Sequence, residues 1–212
     1  MNQIGILGVV HNEELRIQHG LTLETIKALI LEFDPDVICG EVLPASWDKY
    51  RQNSLDRGYW GEPASEYYES IFPLCEEKGY AFEPIDWVEL DVWNDFDPMR
   101  HYSEEARIKL EAKSGEWWEK QLAAAGKGTV AFNCEAFDET TRLKYQWLER
   151  LDAEAHAFRW TGRHIIMMQR IKNAIKRHPG KKMLCIVGAD HNHVLNEELR
   201  KMEQLEVWYP LK

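Results

Sequence analysis

Met183-Leu184-Cys185-Ile186-Val187-Gly188-Ala189-Asp190-His191 is the stretch that decides the fold. Five apolar residues followed by glycine are typical of a central strand in a parallel sheet, which is buried on both faces. Near the amino end, Ile4-Gly5-Ile6-Leu7 is followed in the same way by Gly8-Val9-Val10-His11. These two copies of one pattern, an apolar run followed by Gly-x-x-His, predict neighbouring strands. Such strands would place His11 and His191 in one cleft at the edge of a sheet.

Further strands and helices alternate on either side of these segments. Residues 36–41 and 80–85 are predicted as the second and third strands, with helices over 21–33 and 64–78 and an edge strand over 206–209. Such alternation is typical of an α/β fold with a mainly parallel central sheet and flanking helices. We expect a single α/β domain over 1–212, in which 1–86 and 179–212 form the sheet core.

The segment 87–178 has a different character, with long charged stretches and regularly placed aromatic residues. Ser103 is a good N-cap for a helix to about Ala125, and a second helix is predicted from Asp138 past Leu151. A short extended piece is predicted over 129–132. We expect this segment to be a mainly helical insertion or lid.

Composition excludes several classes of function. The 212-residue chain carries a formal charge of -10, which disfavours nucleic acid and anionic membranes as partners. No run approaches the roughly 20 apolar residues of a membrane helix, and the first strand begins without a leader, so we expect a cytoplasmic protein. The four cysteines lack metal-binding spacing and are read as reduced thiols. A homo-oligomer formed through exposed aromatic residues stays open.

Four ionisable residues follow the four predicted central strands. They are His11, Glu41, Asp86 and His191. Parallel strands deliver their carboxyl ends to one edge of a sheet, where ligands bind in such folds. We therefore expect these side chains to converge.

The converging set is compatible with two chemistries. Two imidazoles and a carboxylate could hold manganese, cobalt or zinc, with His11, Glu41 and His191 as ligands and Asp86 or Asp190 in support. Such a metal would activate a water molecule. Without metal, His11 or His191 could act as a general base whose tautomer Glu41 fixes. The residues leave both chemistries open.

Together with an arginine on a late helix, these motifs resemble the TraB/TIKI/ChaN-like and erythromycin-esterase superfamily. The resemblance spans nearly the whole chain, and the matching segments are Gly8 to His11, Pro35-Asp36-Val37-Ile38 leading to Glu41, Arg163 with Met167 four residues on, and Gly188 to His191. It implies a hydrolase-like cleft lined by both histidines, Glu41 and Arg163, in a family with metal-dependent and metal-independent members. The chain departs from the family at His164, where Asn or Asp often follows the arginine.

The leading hypothesis is a hydrolase that cleaves an ester or amide bond of a small molecule or peptide, with His11, Glu41, Arg163 and His191 as catalytic residues. The alternative is a non-catalytic regulatory protein that captures a ligand or metal in the same cleft. An aromatic-rich segment after Glu41 either stacks on a substrate or packs as a helix interface; it contains Trp47, Tyr50, Tyr59, Trp60, Tyr67 and Tyr68. Trp117, Trp118 and Trp147 are read as helix-interface residues.

Overall fold

The computed structural model describes residues 2–211, and its strands form one parallel sheet. The strand order is β3-β2-β4-β1-β5. The strands are β1 Asn2–Val9, β2 Val37–Gly40, β3 Ala81–Pro84, β4 Lys182–Gly188 and β5 Leu205–Trp208. All pairings are parallel, so the predicted α/β class is confirmed.

The two strands that precede the Gly-x-x-His motifs are direct neighbours. In the register of β1 and β4, Gly8 is paired with Val187 and Val9 with Gly188. Strand β2 lies on the other side of β4, with Gly40 opposite Ile186. The three strands therefore end almost level, which places the residues that follow them side by side.

Helices cover both faces of the sheet, and the chain between β3 and β4 is mainly helical. The α-helices are α1 Glu13–Gln18, α2 Leu23–Phe33, α3 Pro44–Gln52, α4 Phe72–Lys78, α5 Leu90–Asp95, α6 Glu104–Ala125, α7 Glu135–Leu151, α8 Ala153–His156, α9 Gly162–Arg177 and α10 Asn192–Arg200. Two π-helical turns precede α4 and α9, at Tyr67–Ile71 and Ala157–Thr161. A 3₁₀ turn, Ala189–His191, joins β4 to α10.

The central strands are buried on both faces, as their continuous apolar sequence predicts. Along β4, Leu184 and Ile186 belong to one hydrophobic cluster, while Met183, Cys185 and Val187 belong to the other. All five are fully buried. The alternation follows from the two-residue period of a strand.

Local predictions between the strands were less accurate. The helix predicted from Asp138 begins at Glu135, three residues earlier. The extended piece predicted over 129–132 is wrong, because the chain turns there: Phe132 adopts a positive φ of 65° and donates its backbone N–H to the carbonyl of Ala125. Helix α3 was missed because its short, polar sequence carries only two large apolar side chains, Trp47 and Tyr50.

Two further findings concern the chain as a whole. The four cysteines are buried and unpaired, in agreement with their interpretation as reduced thiols. Within residues 2–211, no helix combines the length and the apolar character that crossing a membrane requires.

Candidate functional site

The residues predicted at the strand ends meet at the carboxyl edge of the sheet. Glu41 follows β2 directly and lies at the centre of the group. Its Oε2 is 3.6 Å from Nε2 of His11, and its Oε1 is 3.3 Å from Nε2 of His191. Asp86 joins the group through Arg163, which contacts both carboxylates. The structure thus brings His11, Glu41, Asp86, Arg163 and His191 together.

Glu41 is a buried carboxylate that already accepts hydrogen bonds from the protein. Its side chain is only 7% exposed. Arg163 Nη2 donates to Oε1 at 2.6 Å, and the backbone N–H of Gly188 donates to Oε2. Burial opposes ionisation, but the charges of His191 and Arg163 and contacts with both histidines hold the pKa of Glu41 well below its usual range. Glu41 is therefore an anion at neutral pH.

Arg163 connects two strand ends from the first turn of α9. Its Nε donates to Asp86 Oδ1 at 2.7 Å, and its Nη2 donates to Asp86 Oδ2 at 2.9 Å as well as to Glu41. Burial disfavours the charge, whereas both carboxylates raise the pKa of the guanidinium further. Its Nη1 makes no hydrogen bond to residues 2–211, which leaves N–H donors for a ligand.

His11 is oriented by Glu66, a residue that the sequence reasoning missed. Nδ1 of His11 lies 2.5 Å from Glu66 Oε1, and Arg16 Nη1 donates to Glu66 Oε2 at 2.5 Å. Glu66 and Arg16 are almost fully buried. The prediction that Glu41 fixes the tautomer is thus wrong for His11, since Glu66 holds Nδ1 and leaves Nε2 to face Glu41. The only local signal was a carboxylate beside the apolar residues Tyr67, Ile71 and Leu74 of the same helical segment.

The electrostatic surroundings of His11 favour its protonated form. Burial disfavours the charge, but Glu41 and Glu66 together raise the pKa of the imidazole to about 10. The His11 side chain is also 37% exposed, the most open among the converging residues. A group that is accessible, charged and held by a buried carboxylate can exchange protons with a ligand.

The glycine of each Gly-x-x-His motif has a different steric role. A Cβ at Gly188 would lie 3.1 Å from His11 Nε2 and 3.2 Å from Glu41 Oε2, so a side chain there would crowd the contact between them. A Cβ at Gly8 would collide with the buried amide of Asn192 at 2.1 Å. Only the second glycine therefore shapes the site directly.

His191 is held by His164, the residue that directly follows Arg163 on α9. Nε2 of His164 lies 2.7 Å from Nδ1 of His191. Burial, reinforced by the neighbouring His191, His193 and Arg163, lowers the pKa of His164 to about 2. His164 is therefore a neutral positioning residue behind His191.

Asp190 and His193 lie apart from the central group. Asp190 accepts hydrogen bonds from Gln121 at 2.7 Å and from Lys144 at 2.9 Å. Its role beside the ligand set stays a prediction, and no contact joins it to Glu41 in residues 2–211. His193 is buried and lines a different cavity, where burial lowers its pKa to about 4.

A cavity of about 260 Å³ opens between the central residues and the helices of 87–178. Its polar side includes His11, Glu41, Arg163, Asp190 and His191, and its apolar side includes Trp93, Trp118, Phe137, Tyr145 and Trp160. The interpretation of Trp118 as an interface residue is therefore incomplete, since its ring lines this cavity. The strand ends supply the charged groups, whereas the helices supply the aromatic walls.

The aromatic segment after Glu41 packs mainly into the protein instead. Trp47 stacks on Tyr50 at 5.5 Å between ring centroids, and Phe72 contacts both rings. Tyr67 is fully buried and donates its hydroxyl hydrogen to the carbonyl of Ile186 at 2.8 Å. These residues do not line the cavity, which favours the helix-interface alternative.

The donor set was also compared with the requirements of a metal ion. His11, Glu41 and His191 are the predicted ligand types, and both Nε2 atoms face Glu41. However, the carboxylate oxygens accept N–H groups from Arg163 and Gly188, and the guanidinium places a positive charge beside them. Among residues 2–211, no group of three or more His, Cys, Asp or Glu side chains is arranged to hold a metal. The present arrangement therefore fits a divalent ion poorly.

Comparisons with known proteins add no constraint on this site. No protein-family model, no curated protein and no solved structure matches the chain.

Proposed function

We propose that this protein is a hydrolase that cleaves an ester or amide bond by metal-independent acid–base chemistry, as a member of the TraB/TIKI/ChaN-like and erythromycin-esterase superfamily. One observation carries the proposal: His11 is held through Nδ1 by buried Glu66 and lines a cavity that Arg163 also lines. A carboxylate that orients an imidazole beside a cationic donor is the arrangement that acyl transfer requires.

The proposed reaction begins with the fraction of His11 that has lost its Nε2 proton. Neutral Nε2 removes a proton from a water molecule as the water oxygen attacks the substrate carbonyl carbon. Negative charge then develops on the carbonyl oxygen, where the free Nη1 donors of Arg163 stabilise it. The imidazolium finally returns the proton to the leaving oxygen or nitrogen as its bond to carbon breaks, and a carboxylic acid and an alcohol or amine are released.

The buried partners in this scheme keep the reacting groups in place. Glu66 is tied to Arg16, so it can accept a hydrogen bond from His11 throughout the cycle. Glu41 and Asp86 fix the plane of the Arg163 guanidinium from two sides. Such preorganisation contributes to catalysis because little rearrangement is needed as charge develops.

A screen of chromogenic esters and anilides, with and without a chelator, tests the proposal. We expect hydrolysis that survives chelation and falls at least about a hundredfold in His11→Gln and Arg163→Lys, the scale expected for loss of an acid–base group or an oxyanion donor. His101→Gln is the matched control, because His101 is exposed and remote from the cavity. Turnover that persists at the wild-type rate in both site variants would refute the assignment.

A further inference from the structure

The apolar side of the cavity is dominated by aromatic rings that the protein leaves partly uncovered. Trp93 and Trp118 are 39% and 38% exposed, although both line the cavity together with the half-buried Trp160. Tyr145 packs against Trp160, with 5.8 Å between ring centroids, and braces that wall. Indole rings stack favourably on other aromatic rings, and exposed ones that line a concave site mark a ligand surface.

Positive charges already lie against two of these rings. The guanidinium carbon of Arg159 is 4.2 Å from the ring centroid of Trp93, and Lys144 Nζ is 5.8 Å from that of Trp118. These contacts disfavour a cationic ligand, which would have to approach protein cations of the same sign. A neutral aromatic ring is therefore expected to bind against these indole rings better than a cation.

The charged side chains on the polar side of the cavity already have partners of opposite charge within the protein. Glu41 is bound by Arg163, Asp190 by Lys144, and His11 is paired with Glu66 behind it. A ligand with a full charge would compete with one of these pairs, whereas a carbonyl group needs only the unused Arg163 donors. A neutral carbonyl compound therefore fits this side best.

The volume of the cavity limits the size of the ligand that can bind there. An apolar cavity of about 150 Å³ can hold one benzene molecule, and the volume here is about 260 Å³. One aromatic ring and an adjoining carbonyl group therefore fit within the space. The aromatic wall and the polar side line the same cavity. The ring and the carbonyl group that they contact must therefore belong to one compact ligand.

From these observations we infer that the substrate is a neutral aryl ester or aryl amide, whose single aromatic ring lies among Trp93, Trp118 and Trp160 and whose carbonyl faces Arg163. This inference rests on the proposed function for the reaction, but its recognition step is separable from turnover. Ring binding alone is testable with compounds that the enzyme need not cleave.

The test compares the binding of three neutral amides by NMR titration of the protein. Benzamide carries the ring, cyclohexanecarboxamide carries a saturated ring of similar size, and acetamide carries none. We expect benzamide to bind at least tenfold more tightly than either of the others. Trp118→Ala should remove this preference, and Trp118→Phe, which keeps a ring, should retain most of it.

Trp60→Ala is the matched control, because Trp60 is 47% exposed and lies outside the cavity lining. It should bind benzamide like the wild type, and thermal melting should show that all variants are folded. Equal affinity for the three amides, an unchanged preference in Trp118→Ala, or tighter binding of benzyltrimethylammonium than of benzamide would overturn the inference. Benzamide binding without turnover of any aryl ester or anilide would instead count against the hydrolase proposal alone.

Discussion

His164 Nε2 lies 2.7 Å from His191 Nδ1, so two buried imidazoles share one hydrogen bond directly behind the candidate site. The ionised Glu41 is 3.3 Å from the other nitrogen of His191 and favours a proton there. His191 is thus held between Glu41, which lines the site cavity, and His164, which does not.

Replacing His164 by leucine should destabilise the protein by about 1–3 kcal/mol, because it leaves the buried Nδ1 of His191 without a hydrogen-bond partner. His164→Gln, whose amide can either donate or accept, should lose less. Urea denaturation at pH 8 measures both free energies of unfolding. Equal stability of His164→Leu and the wild type would contradict the hydrogen-bond assignment.

Burial of His164 should also make the free energy of unfolding depend on pH. Folded His164 has a pKa of about 2 because burial disfavours its charged form, whereas the unfolded residue titrates near 6.5. As the pH falls below 6.5 the unfolded state takes up a proton that the folded state does not, so the wild type loses stability. His164→Gln lacks this contribution, and its deficit relative to the wild type should shrink between pH 8 and pH 5.

Glu66→Gln should lower the pKa of His11 from about 10 toward its ordinary value, because one of the two carboxylates that favour the imidazolium is removed. NMR titration of the His11 ring measures this change directly. The alkaline midpoint of the pH–rate profile should move down with it, since only neutral His11 accepts a proton. Glu69→Gln, an exposed position on the same helical segment, is the control and should leave both midpoints in place.

Metal content separates the two chemistries that the sequence left open. Because Arg163 and Gly188 already occupy the Glu41 oxygens, we expect well below one equivalent of metal per chain after incubation with manganese, cobalt or zinc. Elemental analysis of the wild type, His11→Ala and His191→Ala provides the measurement. One equivalent in the wild type that is lost in both variants would establish a two-histidine metal centre and replace the metal-independent mechanism.

Asp138→Asn should stabilise the protein at pH 8. Burial raises the pKa of Asp138 to about 7, despite the hydrogen bond that it accepts from Tyr209. The folded state therefore keeps a proton that the unfolded state releases near pH 4, and wild-type stability falls as the pH rises from 4 through 7. The gain should approach at most about 4 kcal/mol above pH 7 and vanish below pH 4.

Chemical denaturation across this pH range tests the prediction, with exposed Glu149→Gln on the same helix as the control. A constant difference between Asp138→Asn and the wild type from pH 4 to pH 8 would show that Asp138 does not titrate in this way.

Strand-end residues could be predicted because two short-range rules act together. Apolar runs closed by glycine identify buried parallel strands, and parallel strands end at a common edge. Those rules place His11, Glu41, Asp86 and His191 without any knowledge of side-chain contacts. They say nothing about which partner each side chain selects, and for that reason Glu41 was expected where Glu66 holds His11.

Residues contributed by helices were harder to predict. Glu66 and His164 act through side chains on the inward faces of helical segments, where a polar residue in an otherwise apolar stripe is the only local signal. The role of the aromatic segment after Glu41 was left open, and Trp118 was taken for an interface residue; Trp47 and Tyr50 pack on Phe72, whereas Trp118 lines the cavity. Helix rotation and packing angle decide such cases, and neither is encoded in a short window of sequence.

By itself, the sequence determined the parallel sheet, the pairing of the two Gly-x-x-His strands and the edge at which the ionisable residues meet. These features follow from hydrophobic periodicity and chain connectivity, which are readable along the chain. Only the tertiary structure decided that Glu66 orients His11, that His164 holds His191 and that Arg163 donates a hydrogen bond to Glu41. Each of these contacts joins residues at least 27 positions apart, and its energy depends on burial and on distances of a few ångströms that exist only once the helices have packed.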